Sequence, residues 1–453
     1  NFASYEPTTS YLSFLPHGTT RLVLRNFESS FQKRHMEQDG PTSETNLPLI
    51  IALTAHLAAD ELLLPKPLTY LDINYSTIPS VDVMKLLPRT LTHLNISKFG
   101  DAECLEHLPP KLRYFRVDGS RVLDFSLAAL QNLPPNLTTL KFQAKTKPSL
   151  LSAEHLSLLP RSLTTLSYGI TTKVPRSVMQ IQALPPGLTR FSDGDYDLDC
   201  VRLLPRSLVK LHLQTFTADA DFHHLKSLTS FTGKRFQSGE AEAAAFVASL
   251  PSTLKTLLLT GEHPINADAI LPPNLTYINL LGCTTQFTDV FWKNLPPNLE
   301  ELYLEDNLHI TDEHCAWLPR HLLSLGSKTS HITDVGIKVL PRTLKDIQLE
   351  NITNVTNEGI RHLPRTVTSL YFDSITGITD EAVALLPRTL VAVDLRKADL
   401  TAACLPFLPP LLDYFRSAND AVNKEFQLLD GDALAREALA SVSGGIRFYN
   451  PKR

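Results

Sequence analysis

Apolar and polar positions follow one another in a fixed order that recurs along most of the chain. Each copy reads L-P-x-x-L-x-x-L-x-L, as in Leu271 and Pro272 followed by Leu275, Ile278 and Leu280. The last two apolar residues of a copy alternate with polar ones, which is the period of a strand with one buried face. The pattern therefore predicts one short strand per copy.

The Leu-Pro pair marks the repeat along the sequence. From Pro65 onward it returns about every 23 residues, and one degenerate copy, Leu225 to Leu228, lacks the proline. The repeat accounts for about half of the 32 prolines, which outnumber the 18 glycines. A period of this length is typical of a solenoid, in which stacked turns together build the core that no single turn can bury.

The second half of each copy predicts a short helix. In the copy that ends at Pro319, Thr311 is a suitable N-cap and Asp312 favours the positive end of the helix dipole. Ile310 and Cys315 have the spacing of a hydrophobic staple, and the proline ends the helix. The same arrangement recurs in Phe287/Thr288/Trp292, Ile332/Thr333/Ile337, Val355/Thr356/Ile360 and Ile378/Thr379/Val383.

A strand followed by a short helix, repeated, predicts a parallel sheet wound as a coil. The pattern L-x-x-L-x-L resembles that of leucine-rich-repeat proteins over about residues 15–418. The resemblance implies an α/β solenoid of horseshoe shape, with a parallel concave sheet and short convex helices. The family's asparagine is present at Asn307, whereas other copies have Phe99, Cys283, Ile352, Ile375 or Ala398 in that place.

Two subclasses of the family share features with these copies. The stretches I-T-D-E-H and I-T-D-E-A, together with Cys283, look like the cysteine-containing class attached to F-box proteins. The L-P-x-x-L opening is similar to that of secreted bacterial leucine-rich-repeat effectors. Both resemblances are specific for fold and much less so for function.

The rhythm of the repeat divides the chain into three segments. Residues 1–64 are predicted to form an N-terminal cap and irregular first turns, with a polar insertion at 27–46. Residues 65–418 form the solenoid. Residues 419–453 are predicted to hold a capping helix, over 428–442, and a basic tail.

The cysteines favour a reducing compartment. The five cysteines are far apart, odd in number and without a CxxC pair, so a disulfide framework is not expected. Cys104, Cys200 and Cys404 each lie five residues before a repeat proline, which predicts equivalent buried positions. We therefore expect an intracellular, cytoplasmic protein.

No motif for catalysis is present in the sequence. It contains no HExxH, no G-x-S-x-G and no glycine-rich phosphate loop, so we expect no enzyme activity, no cofactor and no metal site. The formal net charge of −4 favours neither nucleic acid nor a membrane surface as a partner. The apolar runs are too short to span a bilayer.

The outward strand positions carry the candidate binding site, on the face expected to be concave. The amino-terminal copies are basic there, and the carboxy-terminal copies are acidic, with apolar and aromatic residues between and among them. The basic set is Arg116, Lys141, Arg190, Lys210, His212 and Lys234, against Asp118. The acidic set is Glu301, Glu305, Asp346, Glu350, Asp373 and Asp394, against Lys328 and Arg396. The apolar and aromatic set is Leu258, Tyr277, Leu281, Tyr303 and Tyr371.

These positions predict a non-catalytic scaffold or substrate receptor that binds another protein. Random surface variation is the alternative interpretation of the charges. Alternative functions are a secreted or surface recognition module, and an adaptor subunit of a ubiquitin ligase with its enzymatic partner elsewhere. Arg320, Arg342, Arg365 and Arg388 form a further stripe, either a solvated edge or an anion-binding one.

Overall fold

The computed structural model divides the chain into two compact units, unit 1 (Asn1–Gln237) and unit 2 (Ser238–Arg453). The residues that the structure describes are 21–23, 68–78, 81–99, 102–120, 127–144, 152–170, 177–196, 198–217, 221–237, 240–263, 265–283, 286–304 and 310–429. The polar insertion predicted at 27–46 lies outside them.

Unit 1 contains one parallel sheet. Its first strand pairs with the second, and each later strand pairs with the next along the chain. The strands are β1 (Arg21–Val23), β2 (Tyr70–Ile78), β3 (His93–Phe99), β4 (Tyr114–Ser120), β5 (Thr139–Ala144), β6 (Thr165–Ile170), β7 (Arg190–Tyr196), β8 (Lys210–Thr217) and β9 (Ser230–Gln237).

Unit 2 contains a second series of parallel pairings. Its main strands are β10 (Thr256–His263), β11 (Tyr277–Cys283), β12 (Glu301–Leu304), β14 (Ser324–Ser327), β16 (Asp346–Leu349), β17 (Ser369–Phe372), β18 (Ala392–Leu395) and β19 (Tyr414–Arg416). The short strands β13 (Ile310–Thr311) and β15 (Ser330–His331) pair with each other beside the helices.

A short helix or a turn joins successive strands. Unit 1 has α1 (Val81–Lys85), α2 (Leu127–Gln131), α3 (Ala153–Ser157), α4 (Val178–Gln182), α5 (Leu198–Arg202) and the 3-10 helix Ala102–His107. Unit 2 has α6 (Glu240–Ser249), α7 (Asp289–Lys293), α8 (Asp312–Trp317), α9 (Asp334–Val339), α10 (Asn357–Arg361), α11 (Asp380–Leu385), α12 (Asp420–Leu429) and the 3-10 helix Ala402–Phe407. The predicted α/β leucine-rich-repeat solenoid is confirmed.

The repeat proline begins a tight turn that returns the chain to the sheet. In one copy the Leu91 N–H donates to the carbonyl of Pro88 at 3.1 Å. The next two N–H groups, of Thr92 and His93, both donate to the carbonyl of Thr69 in the preceding copy, at 2.8 and 3.0 Å. Because this pattern recurs, each strand starts in register with the one before it.

The predicted helix starts are confirmed in unit 2. Thr288, Thr311, Thr333, Thr356 and Thr379 are the N-cap residues of α7 to α11. The staple residues of these copies pack into the core, where the second member of each pair is at most 1% exposed: Trp292, Cys315, Ile337, Ile360 and Val383.

The five cysteines are buried as free thiols. Cys104, Cys200 and Cys404 are each 0% exposed, in the two 3-10 helices and in α5, so the predicted equivalence is confirmed. Burial raises the pKa of the Cys404 thiol to about 11. These side chains therefore pack as small apolar groups.

A hydroxyl clamp links consecutive turns behind the proline. The hydroxyl of Thr343 lies within hydrogen-bonding distance of the carbonyls of Arg320 and Leu322 in the preceding turn, at 2.8 and 2.7 Å. Equivalent bonds are made by Ser162, Ser207, Thr366 and Thr389. The clamp explains why the residue before the second leucine is so often serine or threonine.

A carboxylate clamp links consecutive helices in unit 2. Oδ1 of Asp334 accepts the backbone N–H of Thr356 at 2.8 Å, and its Oδ2 accepts the Thr356 hydroxyl at 2.6 Å. The pairs Asp312–Thr333 and Asp380–Thr401 repeat the geometry. The sequence had assigned Asp312 only to the helix dipole, whereas its carboxylate also holds the next N-cap threonine.

The clamp tolerates asparagine in one turn, with a changed pattern. Oδ1 of Asn357 accepts the Thr379 N–H at 3.0 Å, while its Nδ2 donates to the Thr379 hydroxyl at 2.9 Å. Thr379 makes no side-chain cap bond to its own helix, unlike Thr333 and Thr356. The amide therefore keeps the link between turns without the threonine's cap bond.

Helix α12 follows the last strand. It spans Asp420–Leu429, a segment that was not predicted to be helical, and the capping helix predicted over 428–442 lies outside the described residues apart from its first two positions. Val422 is 2% exposed, and the Phe426 ring lies 5.6 Å from that of Phe415 in β19. The helix therefore covers the apolar end of the last turn.

Candidate binding faces

The outer face of each sheet consists of the side chains that alternate with the buried ones. In unit 2 the first outward position of successive strands aligns Tyr277, Glu301, Ser324, Asp346 and Ser369. The second aligns Asn279, Tyr303, Gly326, Gln348, Tyr371 and Asp394. Parallel register thus brings residues from turns far apart in sequence onto one surface.

Two tyrosines form an aromatic cluster on this face. The rings of Tyr277 and Tyr303 lie 5.9 Å apart. Tyr303 leans over Gly326, where an added Cβ would come within 2.6 Å of the tyrosine Cδ1. Its hydroxyl donates to Oε2 of Glu301 at 3.3 Å, and burial raises its pKa.

The apolar and aromatic side chains proposed as exposed anchors are more covered than expected. Leu258, Tyr277, Leu281, Tyr303 and Tyr371 are all half-buried. Tyr303 is covered because the missing side chain at Gly326 leaves room for its ring on the neighbouring strand.

Two carboxylates of this face are held out of water. Oδ2 of Asp346 accepts a hydrogen bond from Nε2 of Gln348 at 2.9 Å, and burial raises the pKa of this carboxyl. Asp394 is 5% exposed, and burial raises its pKa against the opposing effect of Arg396, whose Nε lies 3.3 Å from Oδ2. Within the described residues, Oδ1 of both aspartates is buried and meets no donor in hydrogen-bond geometry, although the Ser369 hydroxyl beside Asp346 partly opposes the rise in the pKa of that carboxyl.

The remaining predicted residues of the acidic set have mixed outcomes. Glu301, Glu350 and Asp373 are half-buried outward side chains, whereas Glu305 lies outside the described residues. The Arg396 guanidinium also lies 4.8 Å from the centre of the Tyr371 ring, and burial raises the pKa of that tyrosine to about 12. Arg396 is thus engaged by groups of its own face.

The outer face of unit 1 is basic. Register places Arg116 opposite Lys141, and Arg190 opposite Lys210. Arg116, Lys141 and His212 are half-buried and Lys210 is exposed; burial and Lys234 lower the pKa of His212. The side chains of β5 to β9 line an open depression of about 250 Å³.

An aromatic stack that the sequence analysis missed continues this face. The rings of Tyr70 and His93 lie 5.4 Å apart, those of His93 and Tyr114 lie 5.6 Å apart, and Nζ of Lys141 lies 5.9 Å from the Tyr114 ring. The signal was available, because the three aromatic residues occupy the same position in successive repeats.

The arginine stripe serves the fold in two of its members. Arg342 donates to the carbonyls of His362 and Lys338, both at 2.8 Å. Arg388 donates to the carbonyls of Phe407 and Leu408 at 3.2 Å. These bonds satisfy carbonyls at helix ends, where unpaired acceptors accumulate, so the stripe is more than a solvated edge.

Ser152 and His155 are a close serine–histidine pair, with Oγ and Nδ1 2.6 Å apart, and they form a capping box at the start of α3.

Among the described residues, no group of three or more His, Cys, Asp or Glu side chains could hold a metal ion. None of the helices in that part of the chain has the length and apolar character needed to cross a bilayer.

The chain is similar in fold to several solved leucine-rich-repeat structures. No family model and no curated protein matches this sequence. Similar solved structures include the circular leucine-rich-repeat protein CroV588, at 17% identity over 78% of this chain and 60% of that one, with a TM-score of 0.40. This chain therefore spans less than two thirds of CroV588.

Two further solved structures share the repeat architecture. TLR13, in complex with ssRNA13, is 16% identical over 81% of this chain and 62% of that one, with a TM-score of 0.49. An internalin of Listeria monocytogenes is 16% identical over 82% of this chain and 94% of that one, with a TM-score of 0.40. At these identities the likeness concerns the fold alone.

Proposed function

We propose that the chain is a non-catalytic interaction scaffold or substrate receptor that binds a protein on the outer face of unit 2. The observation that carries the proposal is the pair of desolvated carboxylates, Asp346 and Asp394. A buried carboxylate oxygen without a donor is costly to the fold. A partner that presents lysine or arginine would offset the charge of these carboxylates by attraction across the low-dielectric surface, without contacting the buried oxygens.

The tyrosines beside these acids support the same partner chemistry. Tyr277 and Tyr303 offer an aromatic surface next to Glu301, with their rings 5.9 Å apart and tilted by 45°. Because the rings already pack on each other, they have little rotamer freedom left to lose. Aromatic groups of this kind commonly dominate binding energy at protein interfaces. The partner should therefore combine an apolar contact with cationic side chains.

We propose further that the chain works in a reducing compartment, the cytoplasm of a cell. Five buried thiols support it, because a chain with odd and unpaired cysteines suits such surroundings.

Replacing Tyr303 by alanine is expected to weaken partner binding by about 1–3 kcal/mol. The substitution removes the ring that covers β14, while the buried leucines of that strand pair stay in place. The immobilised full chain would capture partners from a lysate, and each captured protein would then be titrated against wild type and variant.

The matched control is Phe407→Ala, which removes an aromatic ring that is 51% exposed on the helix side of unit 2. It should leave binding unchanged. Equal loss from both variants, or loss from Phe407→Ala alone, would place the binding site elsewhere.

Replacing Asp346 by asparagine is expected to raise stability at neutral pH and to weaken binding of the same partner. The folded pKa of Asp346 lies above its unfolded value, so the neutral form stabilises the fold below about pH 3.9 and this contribution is lost as pH rises through the folded pKa. Thermal melts at pH 7 should show the variant more stable, with the difference shrinking toward pH 4.

Asp399→Asn, at an exposed carboxylate of the same unit, is the control and should change neither property. An Asp346→Asn chain that melts lower than wild type at pH 7 would show that this carboxylate serves the fold instead of a partner.

A further inference from the structure

Two like charges lie directly opposite each other on the outer face of unit 1. Arg190 in β7 is in register with Lys210 in β8, and both side chains are exposed. Neither has an ion-pair partner within the part of the chain that the structure describes. Like charges at directly opposed strand positions destabilise a sheet, so this pair calls for an anion that binds between them.

A second cationic pair lies on the same face. Arg116 in β4 is in register with Lys141 in β5. The two pairs are three strands apart and offset by two residues along the strands, so their centres are about 16 Å apart. Ser167 and Ser192 occupy the second outward position between the pairs. A ligand that reaches both pairs must carry more than one anionic group.

The lining of the depression indicates which anion fits. Its floor is the backbone of the sheet at Leu166, Phe191 and Leu211, whose side chains are buried in the core, and its walls carry hydroxyls and cations. Arginine, lysine and hydroxyl groups are the usual donors to phosphate oxygens. A protein partner would need an apolar anchor at the centre of the interface, and the walls offer none.

We propose that the outer face of unit 1 binds a single-stranded nucleic acid through its phosphate backbone. The stack of Tyr70, His93 and Tyr114 lies in the same register row as Arg190 and Lys210, toward β2. Its last ring, Tyr114, is on the same strand as Arg116, which lies in the neighbouring row. Proteins that bind single strands combine a basic path with aromatic rings that contact the bases.

The whole-chain charge pointed away from this ligand. A formal net charge of −4 was the reason to expect no nucleic acid, but that sum averages over two units whose outer faces carry opposite signs. Backbone phosphates respond to the local row of cations, because charges farther away than a Debye length of about 8 Å are largely screened.

Fluorescence anisotropy with a labelled 20-nucleotide oligo(U) and the full chain tests the proposal. The double variant Arg190→Glu/Lys210→Glu should lose at least tenfold in affinity. Its plot of log affinity against log salt should also become shallower by about 1.4, or 0.7 per phosphate contact.

The matched control is Arg161→Glu/Arg206→Glu, which changes the net charge equally at two exposed arginines behind the repeat prolines of the same unit. It should bind like wild type. If the first double variant melts at a lower temperature, Lys210→Gln must still reduce the salt slope by about 0.7.

Three results would overturn the proposal: no binding of oligo(U) by wild type at moderate salt, equal loss in both double variants, or tighter binding of polyglutamate or heparin with the same residue dependence. The last two would assign the face to nonspecific attraction, to an acidic protein or to a sulfated glycan.

Discussion

Replacing Trp292 by alanine is expected to lower the free energy of unfolding by about 3–5 kcal/mol. The indole is 1% exposed in α7, stacks on His314 of the next turn at 4.4 Å, and meets Phe291 edge-on at 5.7 Å. The equivalent positions in the next two turns hold Cys315 and Ile337, which are much smaller. No neighbouring side chain can therefore fill the space that the indole would leave.

Urea denaturation followed by circular dichroism measures this effect. The control is the chain's other tryptophan, Trp317, which is half-buried and lies 4.3 Å from Nζ of Lys293. Trp317→Ala should cost less, about 1–2 kcal/mol, because the half-buried ring loses a cation–π contact and only part of its apolar cover. Similar costs for both substitutions would contradict the packing described for α7.

Replacing Asp334 by alanine is expected to cost about 2–3 kcal/mol of unfolding free energy. The substitution removes both acceptors of the Thr356 N–H and hydroxyl. Hydrogen bonds to charged groups have a net value of about 1.5–3 kcal/mol each, and the solvent exposure of this pair reduces their sum. The helices α9 and α10 then lose the carboxylate clamp that joins them.

Asp334→Asn is the matched variant, because Asn357 performs this task one turn later. The amide should keep the link between turns, but Thr356 should lose its cap bond, which lowers the free energy of unfolding by about 1 kcal/mol. Thermal and urea unfolding should therefore rank wild type, Asp334→Asn and Asp334→Ala in that order. An asparagine variant as unstable as the alanine variant would show that the clamp depends on charge alone.

The repeat made the fold predictable. Strand and helix positions followed from the spacing of leucines, the N-cap threonines and the repeat proline, because each of these acts within its own turn. Even the burial of Cys104, Cys200 and Cys404 followed from equal phase. Helix α12 was not predicted, because no repeat extends beyond β19 to give its phase.

The binding faces were less predictable, because they depend on neighbours about 23 residues away in sequence. The register brought the outward side chains together as expected, but the Tyr303 ring lies down only because the next strand has Gly326. The desolvation of Asp346 also arises from turns on both sides. The link from Asp334 to Thr356 was missed for the same reason, since helix-dipole arguments consider one helix at a time.

The carboxylate clamp runs in one direction, with each acceptor serving the threonine of the following turn. The acceptors of successive turns are Asp312, Asp334, Asn357 and Asp380. The equivalent position of the next turn is Ala402, which has no side-chain acceptor. A gene duplication that copies an internal turn would insert both a threonine and an acceptor. The new threonine would bond to the acceptor of the turn before it, and the new acceptor would bond the threonine of the turn after it. A copy added after Thr401 would arrive with a threonine and find no acceptor. A duplicated turn inserted within the series therefore keeps the clamp, whereas a turn added after Ala402, before α12, would lack it.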